Sequence, residues 1–302
     1  MVGGARRAHR HRGTPDRHHP DRRGRSDRTA PVAVEEPVTE YVFDAADGLA
    51  AEHHRYLADT LDPFTFDRLD RLGVRPGWRC LEVGGGGGTV AARLRELVGD
   101  TGSVVVTDLE TGLLTSSPAL RHDNVTVLRH DVRTEPLPAD EFDLAHSRLV
   151  LGHLENREEV VAEVVGAVKP GGWVLFDEFE TVIAPMVLEA PAPADAELFH
   201  RVVAAITEVV AAGGMNHRWG HEVYACLARA GTTDVHAEGA FRSCRGGGPA
   251  MMLHHVVSRR LEAALLREGL GTDELHRFRE VVADPAFAAT TYVLISTRAR
   301  KC

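Results

Sequence analysis

The sequence predicts an α/β fold in which a parallel sheet is covered by helices on both faces. Residues 80–83 are a short, largely apolar stretch bounded by glycine, which predicts a buried strand. The five glycines at 84–88 cannot continue that strand and predict a turn with positive φ angles. Apolar residues return at helical spacing from about Thr89. Such a strand, turn and helix N-terminus form the ligand-binding end of a parallel α/β unit, because backbone N–H groups point at the ligand.

Strands and helices alternate through the rest of the chain. Asn156 is expected to cap a helix that runs to Val168, and the Lys-Pro-Gly-Gly sequence at 169–172 ends it. Further helices are expected from Asp195 to Val210, after residues 217–220, over 249–268 and from Asp273. The later strands are predicted at 103–108, 125–132, 141–147, 173–178, 233–239 and 291–296.

The segments outside the sheet differ in composition. Residues 1–33 are rich in Arg and His with almost nothing to bury, so we expect a disordered tail, although a transit peptide or a nucleic-acid-binding arm stays open. Residues 34–72 predict a helical lid, in which Asp62 caps a second helix with Pro63 in its first turn. The α/β domain is expected at 73–302, with a helical cap at 181–230.

Length and composition exclude several classes of protein. The 302 residues, 43% of them hydrophobic, are enough for one large α/β domain with an added cap. The four cysteines show no C-x-x-C spacing and no disulfide framework, so we expect a reducing, cytoplasmic setting. No apolar run reaches about 18 residues, which argues against a membrane span. Residues 1–30 carry nine Arg against three Asp, so the strongly acidic remainder argues against a nucleic-acid partner.

The acid before the glycine turn indicates which cofactor binds. Glu82, Gly84, Gly86 and Gly88 match the acid-x-Gly-x-Gly-x-Gly motif, and the chain thereby resembles class I S-adenosylmethionine methyltransferases. A carboxylate at this point suits a cofactor that carries an ammonium group, whereas it would repel the pyrophosphate of a dinucleotide. The dinucleotide motif fits only in a late register that ends at Ala91 and leaves Glu82 unexplained.

This resemblance implies a Rossmann-like sheet of seven strands and a set of cofactor contacts. Asp108, or Glu110 as the alternative, would accept hydrogen bonds from the ribose hydroxyls, and Asp131 would meet the adenine amino group. The segment after the fourth strand would line the methyl-transfer site, and Tyr41 of the lid would contact the cofactor directly. The predicted cofactor-binding residues are Tyr41, Glu82, Gly84, Gly86, Gly88, Asp108, Leu109, Asp131, Val132, Ser147 and Arg148.

Methyl transfer from a sulfonium depends mainly on positioning, and a general base helps when the acceptor is a hydroxyl. Histidine suits that role, although most histidines in a chain are structural or solvated. A carboxylate could instead stabilise a cation if carbon were methylated. His146 and His255 are further candidates, and no metal site is predicted. The predicted catalytic residues are His153, Glu178, Glu180, His217 and His254.

The sequence therefore predicts methyl transfer to a small-molecule acceptor at O, N or C, with secondary metabolism and natural-product biosynthesis as the expected setting. A homodimer is expected, without nucleic-acid or membrane partners. The alternatives are a non-catalytic protein that binds the cofactor and an NAD-dependent oxidoreductase.

Replacing Tyr41 by Phe tests the predicted lid contact. The phenol offers a hydroxyl to the cofactor and a ring face to the sulfonium. We expect weaker binding of S-adenosylhomocysteine in calorimetry, or slower methyl transfer. A Tyr41→Phe protein that equals the wild type in both measurements contradicts the contact.

Overall fold

The computed structural model describes residues 48–302, and a seven-stranded sheet forms their centre. The predictions for the tail at 1–33, for residues 34–47 and for Tyr41 lie outside the described residues. The strands of the main sheet are β1 (Arg79–Val83), β2 (Ser103–Asp108), β3 (Val125–Arg129), β4 (Phe142–Arg148), β5 (Val168–Glu180), β7 (Thr232–Ala240) and β10 (Val293–Lys301). The helices are α1 (Ala50–Leu72), α2 (Thr89–Val98), α3 (Gly112–Ser116), α4 (Arg157–Ala167), α5 (Pro193–Ala212), α6 (Trp219–Arg229), α7 (Pro249–Arg260), α8 (Glu262–Arg267) and α9 (Thr272–Ala283).

The strand order is β3-β2-β1-β4-β5-β10-β7. The first five strands of this order pair in parallel, and β10 is antiparallel to both of its neighbours. The predicted Rossmann-like sheet of seven strands is thus confirmed. The order reverses between β1 and β4, and ligands of open α/β sheets bind beyond the carboxyl ends of the strands at such a point.

Alternating residues of the central strands give the sheet two buried faces. Cys80, Leu144 and Leu175 are buried in a cluster with Leu69 of α1 and Leu94 of α2. On the opposite face, the strand residues Leu81, Ala145 and Phe176 pack with residues of α4 and α6. This period of two places neighbouring residues of one strand in different environments.

The N-terminal region forms one helix rather than the predicted two. α1 continues through Pro63, and Asp62 caps no helix. Instead, the Asp62 Oδ1 atom accepts hydrogen bonds from Thr89 Oγ1 at 3.0 Å and Arg148 Nη1 at 2.9 Å. Proline inside a helix costs about 3 kcal/mol. Burial of Leu61 and Leu69 on either side of Pro63 offsets this cost and keeps the helix continuous.

The cap also differs from the prediction for residues 181–230. α6 lies within that range but packs on the main sheet through Trp219, Val223 and Leu227. The predicted long helix at 249–268 is divided into α7 and α8 at Leu261. Helices α5, α7, α8 and α9 share a separate hydrophobic cluster, which includes Phe199. A small antiparallel sheet in the order β6-β9-β8 adjoins this part of the chain, with β6 at Val187–Glu189, β8 at Ser243–Arg245 and β9 at Ala288–Thr290.

Two glycine substitutions test how α6 is seated. A Cβ at Gly220 would lie 2.8 Å from the carbonyl oxygen of Phe179, whereas a Cβ at Gly166 of α4 meets nothing within 4 Å. We expect Gly220→Ala to lower the free energy of unfolding by about 1–3 kcal/mol through overpacking. Gly166→Ala should raise it by about 0.5–1 kcal/mol, because alanine favours the helix. Urea unfolding measures both, and shifts of the same sign would contradict this packing.

Candidate functional site

The glycine turn is fixed between β2 and the segment after β4. The amides of Gly84 and Gly85 both donate to the carbonyl oxygen of Thr107, at 2.8 and 2.9 Å. Gly84 has φ +73°, and a Cβ there would lie 2.2 Å from a methyl carbon of Val150. Gly86 and Gly88 also have positive φ, at +51° and +82°. Glycine is therefore required here, and the turn leads directly into the N-terminus of α2 at Thr89.

Asp108, at the carboxyl end of β2, holds the turn from the other side. Its Oδ2 atom accepts the Gly86 amide at 2.8 Å, and its Oδ1 atom accepts the Glu110 amide at 3.0 Å. Each carboxylate oxygen has further lone pairs for a second donor such as a hydroxyl. The side chain of Leu109 is 38% exposed.

The end of β3 brings a second acid to this edge. The amide of His130 donates to the carbonyl oxygen of Asp108 at 3.0 Å, so residues that follow β3 lie beside the end of β2. The Asp131 carboxylate accepts two hydrogen bonds from Arg133 at 2.8 Å each. These bonds lower the pKa of Asp131 and keep it ionised. Val132, another of the predicted cofactor-binding residues, is partly buried against the α4 and α6 face.

Glu82 belongs to a buried row of polar side chains. The Nδ1 atom of His146 lies 2.7 Å from Glu82 Oε2, and Nε2 lies 3.5 Å from Asp177 Oδ2. Thr65 of α1 donates to the same Asp177 oxygen at 2.6 Å. Glu82, His146 and Asp177 are each at most 2% exposed. The row crosses β1, β4 and β5 beneath α1.

The protonation states in this row follow from burial and charge. Burial alone would lower the pKa of His146, but Glu82 and Asp177 outweigh burial and raise it to about 9. Burial raises the pKa of Glu82, and the charge and hydrogen bond of His146 oppose that rise. Burial would also raise the pKa of Asp177, yet the bonds and charge of its partners lower it. His146 is accordingly protonated at neutral pH, between the carboxyl group of Glu82 and the carboxylate of Asp177.

Ser147 and Arg148, which follow His146 on β4, have different surroundings. Arg148 Nη1 donates to Asp62 at 2.9 Å and to Thr65 at 3.2 Å, which joins the end of β4 to α1. Ser147 pairs in register with Val83, a residue of the α4 and α6 face, and is fully buried. Arg148 and Ser147 therefore point to opposite faces of the sheet, and their contact with the cofactor stays a prediction.

His54 is a contact of the turn that the sequence analysis missed. Its ring atoms lie 3.0 Å from the point that a Cβ on Gly86 would occupy. Burial lowers the pKa of His54, opposed by the charge of Asp108. The adjacent histidines at 53 and 54 are the signal in the sequence that could have indicated this contact. A helix that lies over the turn must present some side chain to the glycines.

Three of the predicted catalytic residues lie along the end of β5. Glu178 Oε1 accepts the Leu151 amide at 3.1 Å, and burial raises the pKa of Glu178 to about 8, although backbone donors oppose the rise. Glu180 is buried and hydrogen-bonded to Nδ1 of His221, a residue that the sequence analysis did not select. His217 Nδ1 lies 3.1 Å from Thr181 Oγ1.

The other two predicted bases, His153 and His254, both have lowered pKa values. Burial lowers the pKa of His153 to about 4, with a smaller contribution from the charge of Arg157. Burial also lowers the pKa of His254 to about 4. The His254 ring packs edge-on against Phe199, with 5.3 Å between centroids, and contacts Tyr292 at 5.5 Å. His254 is thus a core residue of the cap, apart from the β5 group, and it is a poor candidate for a general base.

Known proteins are similar to this chain in sequence. Residues 81–176 match the profile of the methyltransferase domain family. The ubiquinone/menaquinone biosynthesis C-methyltransferase UbiE of Laribacter hongkongensis is 32% identical over 121 residues, covering 39% of this chain and 50% of that protein. UbiE of Erwinia tasmaniensis is 31% identical over 156 residues, covering 50% of this chain and 61% of that protein. The chain thus spans about half to three fifths of the length of these relatives.

Two solved structures have the same fold. A candidate methyltransferase of Bacillus halodurans superposes with a TM-score of 0.52 at 19% identity, covering 78% of this chain and 98% of that one. The YcgJ protein of Bacillus subtilis gives 0.53 at 14% identity, covering 82% and 99%. This chain carries a class I S-adenosylmethionine-dependent methyltransferase domain.

The donor set of the methyltransferase domain fits the family's cofactor, S-adenosylmethionine. The acidic side chains of Glu82 and Asp177 suit a cationic ligand at this point. Asp108 stands at the glycine turn with capacity for hydroxyl donors.

Within residues 48–302, no group of three or more His, Cys, Asp or Glu side chains is arranged to hold a metal ion. No helix in this range is long and apolar enough to cross a membrane.

The protonation of His146 predicts how the stability of the methyltransferase domain depends on pH. The raised pKa of His146 stabilises the folded state fully below about pH 6.5, and this contribution is lost as pH rises through about 9. We expect the free energy of unfolding to fall by about 1–3 kcal/mol from pH 7 to pH 10. His146→Gln should remove most of that dependence, whereas the exposed His236→Gln should keep it. Denaturant unfolding at each pH measures the slopes, and equal slopes in all three proteins contradict the assignment.

Proposed function

We propose that this protein transfers the methyl group of S-adenosylmethionine to a small-molecule acceptor. The observation that carries the proposal is the joining of the glycine turn, Asp108 and Glu82 at the point where the strand order reverses. The matching profile and the UbiE relatives support the same activity.

Each residue of the cofactor site has a proposed task. Asp108 accepts the ribose hydroxyls, with the glycine turn allowing close approach of the backbone. Glu82 accepts the ammonium group, while Asp131 and Val132 lie at the adenine end. The cofactor supplies an electrophilic methyl group when bound, and the protein positions the acceptor in line with it.

The acceptor we propose is a hydroxylated ring that is methylated at carbon. The relatives are named as quinone-biosynthesis C-methyltransferases, and this is the first support. The second is the pair of buried acids Glu178 and Glu180 at the carboxyl edge of β5. Burial raises the pKa of Glu178 to about 8, so its ionised form is a base strong enough to accept the proton that the ring loses when carbon is methylated. His221, bound through Nδ1 to Glu180, is the alternative base.

A natural-product acceptor, which the sequence analysis anticipates, is the second class to test. A homodimer and a cytoplasmic location also stay predictions. The non-catalytic alternative predicts binding of the cofactor without turnover.

Calorimetry with S-adenosylhomocysteine tests the cofactor site. We expect Asp108→Asn to weaken binding at least tenfold, because the ribose hydroxyls lose a charged acceptor. Glu110→Gln is the matched control, since Glu110 is an exposed acid two residues away, and its affinity should stay within twofold of the wild type. If Glu110→Gln loses affinity and Asp108→Asn does not, Glu110 is the ribose ligand. If neither variant changes the affinity, the proposed cofactor site is wrong.

A methyl-transfer assay tests the acceptor. The wild type should convert reduced benzoquinols or naphthoquinols with an unsubstituted ring carbon to C-methylated products, detected by mass spectrometry together with S-adenosylhomocysteine release. Tight cofactor binding without turnover across quinols and phenolic natural products contradicts the catalytic proposal and supports the binding protein.

A further inference from the structure

The row Glu82–His146–Asp177–Thr65 ties two distant parts of the domain together. Glu82 and His146 are register partners on neighbouring strands, and Asp177 lies on the next strand. His146 and Asp177 have no exposed surface, so neither can contact a ligand in solution. Their function has to act through the residues at the two ends of the row.

We propose that His146 is a positioning residue that keeps Glu82 ionised for the cofactor's ammonium group and links this site to α1 through Asp177 and Thr65. This inference rests on the proposed function, because it assumes that Glu82 receives the cofactor. The new element is the role of His146. This residue contacts no ligand itself, but it sets the charge state of Glu82, which receives the cofactor.

The electrostatics of Glu82 give the first argument. A buried carboxyl group without a cation takes up a proton rather than remain charged. The imidazolium of His146, with Nδ1 2.7 Å from Glu82 Oε2, is a cation in direct contact with this carboxyl group. Arg148 acts on Glu82 from further away and is itself paired with Asp62 of α1. Removing the imidazolium therefore leaves Glu82 protonated near neutral pH, and a protonated acid must release its proton to receive an ammonium.

The geometry of α1 gives the second argument. The Asp177 Oδ2 atom is shared between His146 at 3.5 Å and Thr65 at 2.6 Å. Eleven residues before Thr65, about 16 Å along the same helix, His54 lies against Gly86 of the turn. A continuous helix thus joins the buried row to the surface of the glycine turn. The hydrogen bond that holds Thr65 to Asp177 therefore also restricts the position of His54.

Proton release on binding is the readout that a merely structural role would not move. Calorimetric titration with S-adenosylhomocysteine at pH 7, in buffers of different ionisation enthalpy, counts protons released. The charged groups that face His146 are Glu82 and Asp177, with Arg148 and Asp62 next to them. For the wild type we expect little proton exchange. For His146→Gln we expect at least tenfold weaker binding, release of close to one proton, and affinity that recovers as pH rises.

The controls separate this mechanism from loss of folding. His236→Gln, an exposed histidine of β7, should bind like the wild type without proton release. Adding His146→Gln to Glu82→Gln should cost much less affinity than adding it to the wild type, because the carboxylate is already absent. If His146→Gln does not fold, the wild type still reports: its binding at pH 7 should release almost no proton, and release of close to one proton would overturn the role of His146.

The link to α1 has its own pair of variants. Thr65→Val keeps the shape of the side chain and removes the hydroxyl, which donates to Asp177 and accepts a hydrogen bond from Arg148. Thr60→Val on the same helix is the matched control, since the buried Thr60 hydroxyl has no hydrogen-bond partner within residues 48–302. We expect Thr65→Val to weaken binding threefold to tenfold and to speed amide hydrogen exchange in residues 50–65, and Thr60→Val to do neither.

The outcomes are distinguishable. A wild type that does not bind S-adenosylhomocysteine overturns the proposed function. A wild type that binds, together with a folded His146→Gln protein of equal affinity and no proton release, overturns only the role of His146. Equal exchange rates in the Thr65→Val and Thr60→Val proteins overturn the link to α1.

Discussion

The hydrogen bond between His146 and Glu82 is the constraint on which the centre of the molecule depends. It joins β1 to β4 at the place where the strand order reverses, inside a sheet that excludes water. Ionised groups in such surroundings are tolerated only when they are paired and hydrogen-bonded. The glycine turn begins two residues after Glu82, so the same pairing that stabilises the strands also sets where the backbone approaches a ligand.

The polar underside of α1 follows from this constraint. A helix that lies over charged strand residues has to offer polar partners, and α1 offers Thr65 to Asp177 and Arg68 to Glu238 of β7. Asp62 and its bond to Arg148 extend the same side of the helix towards β4. These contacts explain why the helix continues through Pro63: ending it there would leave the Asp177 oxygen and the Arg148 guanidinium without these partners.

The sequence predicts the features that are local and fails on those that depend on distant partners. The glycine turn and the acid that ends β2 were predicted correctly because each has a short pattern, and the seven-stranded sheet because the resemblance to class I methyltransferases implies it. The third strand is shorter than predicted and ends at Arg129, before Asp131. The continuity of α1 was not, because a Pro after an Asp is also a common helix start. The pairing of Glu82 with His146 joins residues 64 positions apart, and nothing near either residue signals it. The three-residue strands β6, β8 and β9 are too short to show a period, and periodicity alone did not tell that α6 packs on the sheet.

Alternation along β5 separates two acids into two chemical roles. Asp177 and Glu178 are neighbours in sequence, yet they point to opposite faces of the sheet because the side chains of a strand alternate. On the α1 side, the bonds from His146 and Thr65 overcome burial and lower the pKa of Asp177. On the other side, backbone amides are the donors to Glu178, and burial prevails over them and raises its pKa to about 8. Environments that shift the pKa values of two carboxyl groups in opposite directions let one group serve as a fixed charge and the other as a proton carrier. One strand thus carries a permanent anion beneath the helix and a titratable acid beside the segment after β4, where the acceptor of a methyltransferase is expected.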